Sequence, residues 1–74
     1  MNERQILKAV RNTQSYKMSN YKSLKIESLT QIDNVKYEVE LSFKAKKWQN
    51  NRVIYILYVD NDITALYKEE QFVA

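Results

Sequence analysis

Val53-Ile54-Tyr55-Ile56-Leu57-Tyr58-Val59 runs without a charge through a chain in which 28% of residues are charged. All but Leu57 are β-branched or aromatic, side chains that suit a pleated sheet. A strand apolar on both sides needs cover on both sides, which places this one in the middle of a sheet. What covers its second side is the question the rest of the sequence has to answer.

Upstream, Val35 to Ala45 alternates cleanly. Val35, Tyr37, Val39, Leu41, Phe43 and Ala45 share one side, and Lys36, Glu38, Glu40, Ser42, Lys44 and Lys46 the other. That is the pattern of a half-buried antiparallel strand. Leu24 to Ile32 alternates more loosely, with Leu24, Ile26, Thr30 and Ile32 in phase and Leu29 out of phase. Asp33-Asn34 between the two runs predicts a two-residue hairpin turn. That turn sets Ile32 against Val35, Thr30 against Tyr37, Ile26 against Leu41 and Leu24 against Phe43, so both apolar sets share a face.

Lys47-Trp48-Gln49-Asn50-Asn51 reads as a polar turn holding the only Trp. The central strand follows it, with Phe43 expected opposite Tyr55 and Leu41 opposite Leu57. Asp60-Asn61-Asp62 makes the next turn. Ile63 to about Glu69 reads as a fourth strand pairing Val59 with Ile63, Leu57 with Ala65 and Tyr55 with Tyr67. A short helix capped by Asp62 is the alternative there. Gln71 to Ala74 is expected to fray.

At the amino terminus, residues 3 to about 14 predict a helix with Asn2 as N-cap and Gln5 completing a capping box. Ile6, Leu7, Ala9 and Val10 form its apolar stripe, with Arg4, Lys8 and Arg11 opposite. Beyond Asn12 the helix either continues to about residue 18 or gives way to a loop. The expected fold is therefore α+β: one domain over residues 1–74, with an N-terminal helix packed on a four-stranded antiparallel meander.

That order of elements resembles the cystatin-like fold and the cone-shaped nuclear-transport-factor-like folds. The likeness covers Ile6 to about Lys68. It rests on the hairpin Val35–Val59 followed by Tyr58-Val59-Asp60-Asn61-Asp62-Ile63-Thr64-Ala65-Leu66. The chain lacks the Gln-rich inhibitory loop of cystatins, which are cysteine-protease inhibitors, so no activity carries over. What the resemblance implies is a curved sheet on a helix and frequent dimerisation through the sheet face.

Composition narrows the function classes. With 74 residues and no Gly, Pro, Cys or His, disulfides and most zinc, haem and copper sites drop out. So do Gly-rich phosphate loops and the dinucleotide fingerprint. The common nucleophile–base pairs are missing as well. The acid pairs Asp60/Asp62 and Glu69/Glu70 could hold a hard cation, but turn and tail acids are commonplace. The chain reads as non-enzymatic, without a cofactor or metal. No apolar run approaches the roughly 18 residues that span a bilayer, and no apolar leader core opens the chain, so it reads as cytoplasmic. Its wealth of Asn, Lys, Ile and Tyr suits an AT-rich genome, where small phage and plasmid accessory proteins, inhibitors and regulators abound.

Two surfaces stand out. With Val53, Tyr55, Leu57 and Val59 facing the helix, Ile54, Ile56 and Tyr58 fall on the far side beside Leu66, with Leu29 farther off. An uncovered apolar patch of this kind marks an interface. Its candidate covers are a second copy in a sheet-packed homodimer, another protein, or the tail through Phe72 and Val73. The second surface is basic. Residues 1–25 carry about +5 and residues 44–52 about +4, against a total of +3. A meander brings Lys22 and Lys25 to the same end as Lys44, Lys46, Lys47, Trp48 and Arg52, with Tyr21 nearby. Basic side chains with aromatics among them suit a nucleic acid or another anionic partner. A solubilising hairpin tip would have the same composition.

Overall fold

The computed structural model describes residues 1–19, 21–44 and 50–73. Two helices precede four strands: α1 (Glu3–Arg11), α2 (Gln14–Lys17), β1 (Lys22–Gln31), β2 (Lys36–Lys44), β3 (Asn50–Asp60) and β4 (Asp62–Val73). The strands form one antiparallel sheet in the order β1-β2-β3-β4. The architecture is the expected α+β meander, and the segment after Asn61 is a fourth strand and not a helix.

Helix α1 starts where its cap dictates. The Asn2 side chain accepts from the Gln5 N–H and the Gln5 side chain accepts from the Asn2 N–H, each at 2.9 Å. The helix stops at Asn12, short of the expected residue 14, because Thr13 opens a separate turn of helix. The Thr13 hydroxyl donates to the Val10 carbonyl at 2.6 Å and accepts from the Tyr16 N–H at 3.2 Å. This is the local competition through which Thr interrupts helices.

Ile6 and Val10 are the buried residues of α1. They meet Val39, Leu41, Phe43, Val53, Tyr55, Leu57 and Ala65 in a single core, with Leu24, Ile26 and Ile63 partly buried around it. Each large apolar side chain so buried contributes about 1.5–3 kcal/mol. Tyr55 is fully buried, and its hydroxyl shares a hydrogen bond of 2.8 Å with Ser15. The central strand thereby fastens α2 as well as α1.

The pairing of β3 with β4 matches expectation residue for residue: Val59 with Ile63, Leu57 with Ala65, Tyr55 with Tyr67. Asn61 turns the corner at φ 56°, the left-handed region that Asn tolerates better than most residues. The pairing of β2 with β3 needs correction. Phe43 meets Asn51 and not Tyr55, and Leu41 meets Val53 and not Leu57. Asn50 and Asn51, expected in the turn, belong to β3, so the register moves by four residues. Because four is even, every side chain keeps its face.

The β1–β2 hairpin is also corrected. Ile26 does meet Leu41, but Thr30 meets Glu38 and Gln31 meets Tyr37. An irregularity between Ile26 and Ser28 inserts one extra residue, which reverses the faces beyond it. Leu29 therefore lies opposite Val39 on the helix side, not on the far side. The turn is longer than two residues. The Asp33 carboxylate accepts from the Val35 and Lys36 N–H groups at 2.9 and 2.8 Å. A side-chain-built turn replaces the left-handed pair that a two-residue turn requires.

The tail does not fray through Val73, nor does it fold over the far side of the sheet. An irregularity at Lys68 turns Glu70 to the helix side, opposite Val53. There it accepts a short hydrogen bond from the Tyr21 hydroxyl, while the Tyr21 ring packs against Phe43 with centroids 4.2 Å apart. Burial first, and the Glu70 carboxylate second, push the Tyr21 phenol well above its ordinary pKa. Tyr21→Phe keeps the ring contact and removes the donor. Urea unfolding should show a loss of about 1 kcal/mol, with amide exchange quickening first at Glu70 and Gln71.

Candidate functional site

The outer face of the sheet, opposite the helices, is set by β2, β3 and β4. Ile54, Ile56 and Tyr58 alternate along β3 on this face, and Leu66 lies opposite Ile56 on β4. Their exposures differ. Tyr58 is 38% and Leu66 52% exposed, whereas Ile54 is only 8% exposed, and Ile56 is half-buried. The expectation of an uncovered Ile54 is therefore corrected.

Charged side chains flank Ile54 on this face. Glu40 on β2 and Glu69 on β4 lie opposite it. Arg52 Nη1 approaches Glu27 Oε1 at 3.5 Å, and its Nε approaches Glu40 Oε1 at 3.8 Å. The Ser42 hydroxyl donates to Glu27 Oε1 at 2.8 Å, and Ser28 donates to Glu40 Oε2 at 3.3 Å. Lys68 Nζ donates to Glu38 Oε1 at 2.7 Å, spanning β3 between them. Long stems of this kind bury apolar surface while keeping their heads in water. The Lys36 ammonium stands 5.9 Å from the Tyr58 ring centroid, within cation–π range.

The charged groups of this face are balanced. Among the described residues, Lys22, Lys25, Lys36, Lys44, Arg52 and Lys68 occupy outer-face positions, as do Glu27, Glu38, Glu40, Asp60, Asp62 and Glu69. The helix side is different: Arg4, Lys8, Arg11 and Lys17 are exposed there, and α1 and α2 contribute Glu3 alone against them. The positive excess of the chain thus belongs to the helices.

At the basic end, Lys22 lies directly opposite Lys44 and both are exposed. Lys25 sits on the outer face opposite Ser42. Arg52, expected in the basic set, pairs with Glu27 and Glu40. Lys46, Lys47 and Trp48 lie outside the described residues. Of the expected basic set, the structure brings together Lys22, Lys44 and Lys25.

The acid pairs are separated by the backbone. Glu69 and Glu70 fall on opposite faces after the irregularity at Lys68, and Asp62 accepts from the Ile63 N–H at 2.9 Å. Among the described residues, no three acidic side chains gather as metal ligands would. No described helix is long and apolar enough to cross a membrane.

Open clefts lie along α1 on the helix side, and two of them border the β3–β4 half of the sheet. One, of about 550 Å³, lies between α1 and the β3–β4 turn, at Gln5, Lys8, Asn12 and Ile63. The other, of about 360 Å³, lies between the α1–α2 corner and the sheet edge at Ala65 to Tyr67. Among the described residues, neither contains a buried polar side chain left without a partner.

The ion-pair cover of Ile54 was missed in the sequence. Its signal was the alternation of Glu38 and Glu40 on one strand with Arg52 on the next, which a register off by four residues kept apart. Comparison with protein families, with curated proteins and with solved structures finds no match.

The hydrogen bond from Ser42, with Arg52 adding to it, holds the Glu27 carboxyl below its ordinary pKa of 4.5. A depressed folded-state pKa gives stability that is complete above the unfolded value and is lost as pH falls through the folded one. The urea midpoint should drop on acidification below that range. In Glu27→Gln the same titration should show a shallower acid limb, with the pH 7 midpoint already lowered.

Proposed function

We propose that the protein is a non-catalytic binding protein acting through protein–protein contact, with a second copy of the same chain as its partner. The observation that carries this is the exposure of Tyr58 and Leu66 beside half-buried Ile56, on a face otherwise covered by paired charges. Adjoining apolar side chains left in water on a small domain favour association. Equal numbers of acids and bases on that face favour a copy related by a two-fold axis, because each sign then finds its opposite. A strongly basic or acidic partner would meet like charges on half the surface. The likeness to helix-plus-meander folds whose sheets pair supports the same reading.

The position of the patch refines the expected face-to-face packing. The Arg52 ion pairs lie toward β1 and β2, Lys68 alone among the described β4 residues joins them through Glu38, and the exposed apolar groups lie toward β4. The copy should therefore meet the β3–β4 half of the face and not its centre.

Sedimentation velocity tests this. The protein should be dimeric at micromolar to millimolar concentration, and Leu66→Asp should be monomeric with an unchanged far-ultraviolet spectrum. Leu66 is half-exposed, so its substitution costs little within the folded monomer. A wild-type chain monomeric at millimolar concentration would sink the reading.

One observation favours a second reading, binding of single-stranded nucleic acid at the basic end. Lys22 and Lys44 face each other directly, a pairing that destabilises a sheet unless an anion lies between. A fluorescent single strand should then bind with an affinity that falls steeply with salt, and Lys22→Glu/Lys44→Glu should abolish binding. Absence of binding at low salt would exclude it.

A further inference from the structure

The two edges of the sheet are not alike. β1 carries two irregularities, with Ser23 at φ 56°, and the charges Lys22, Lys25 and Glu27. These are the devices by which an edge strand is guarded. Apart from Asp62 at its start, β4 carries its irregularity and its charges from Lys68 onward. Ahead of them, Ile63-Thr64-Ala65-Leu66-Tyr67 is a regular, uncharged edge, ready to template another strand.

The backbone of that edge can be oriented from one hydrogen bond. The Val59 N–H donates to the Val35 carbonyl at 2.7 Å, so Val59 directs its backbone groups toward β2. In an antiparallel strand these directions alternate from residue to residue. Tyr58 and Ile56 therefore bond across to Thr64 and Leu66, their register partners. Ile63, Ala65 and Tyr67 direct theirs away from the sheet. The Ile63 N–H is taken by the Asp62 carboxylate.

From this edge we infer that the second copy docks strand to strand, β4 against β4, antiparallel about a two-fold axis at Ala65. The inference rests on the self-association proposed above and moves its contact from the outer face to the β4 edge that borders it. In this register Ala65 faces its own mate, and Ile63 faces Tyr67 of the second copy. These are the residues whose backbone groups point outward. On the helix side each Ile63–Tyr67 contact is an aromatic–β-branched pair of the kind that stabilises sheets. Tyr67 is 47% exposed in the single chain.

Charge selects the same register. Asp62 and Lys68 are equally far from Ala65, so the acidic end of one edge segment meets the basic end of the other at both ends of the seam. Neither end sets like charge against like charge. On the outer face Thr64 faces Leu66 of the second copy, and the two exposed Leu66 side chains flank the axis. Two short apolar strips, each made of Tyr58, Ile56 and Leu66, become one strip across an eight-stranded sheet.

The absence of cysteine makes the test clean. Thr64 and Leu66 of opposing copies form a pair without backbone bonds between them, about 4.5 Å apart at Cα, within the roughly 4.4–6.8 Å that a disulfide spans. Thr64→Cys and Leu66→Cys proteins are oxidised separately and as a mixture. The mixture should yield covalent dimer several-fold faster than either protein alone. Amide exchange at Ala65 and Tyr67 should slow on dimerisation of the wild type. If either variant alone cross-links as fast as the mixture, this register is wrong. If the wild type is dimeric but the mixture does not cross-link and those amides exchange unchanged, edge pairing fails while self-association through the outer face stands. A monomeric wild type overturns both.

Discussion

The fold depends on covering β3 from two sides with two kinds of chemistry. On the helix side, Val53, Tyr55 and Leu57 are completely buried beneath Ile6 and Val10, an ordinary apolar core. On the outer side no element of secondary structure is available. Ile54 is nonetheless buried there, with Glu40 and Glu69 opposite it and the Arg52–Glu40 and Arg52–Glu27 ion pairs alongside. Exposed ion pairs contribute little by their charge alone. Their value here lies in the methylene groups they hold over an apolar strand.

The cover is incomplete for a geometric reason. Nine residues of helix extend about 13.5 Å, whereas the molecule is 38 Å long. On the helix side α2 and Tyr21 extend the cover toward the basic end, while Leu29, Ile32 and Val35 stay exposed at the other. On the outer side the ion pairs reach across β1, β2 and β3, and Lys68 is the single β4 residue that joins them. What is left uncovered is Tyr58, Leu66 and part of Ile56, on the half of the face away from β1. The exposed patch is thus what remains when a short helix and a one-sided charge network are spread over a long sheet.

Much of this was legible in the alternation of apolar residues. The strand count, the order and the β3–β4 register from Val59–Ile63 to Tyr55–Tyr67 follow from it, because Tyr55, Leu57 and Val59 have unambiguous apolar partners across a short turn. The β2–β3 register was not legible, since Lys46, Lys47, Trp48 and Gln49 carry no apolar alternation that would fix it. Parity survived that error, so Tyr55 and Leu57 were placed in the core and Ile54 and Ile56 on the outer face all the same. The irregularities near Glu27 and Lys68 were invisible for a different reason. A single inserted residue among Glu, Ser and Lys breaks no apolar pattern strongly enough to be seen. Each nevertheless moved a residue that matters: Leu29 to the helix side and Glu70 to Tyr21.

Without glycine, the chain makes its reversals by other means, and these shape its edges. Asp33 builds one turn with its carboxylate, and Asn61 takes the left-handed conformation in another. Ser23 takes it inside β1, where a non-glycine residue costs about 1–2 kcal/mol. That cost falls on the strand that needs protection from stray pairing, and the distortion supplies it. β4 has no comparable distortion between Asp62 and Tyr67, although it is equally an edge. A chain that spends conformational energy to close one edge and leaves five uncharged residues regular on the other has an asymmetric sheet. The regular edge includes Leu66, the most exposed of the described apolar residues on the outer face, so edge and patch form one continuous surface.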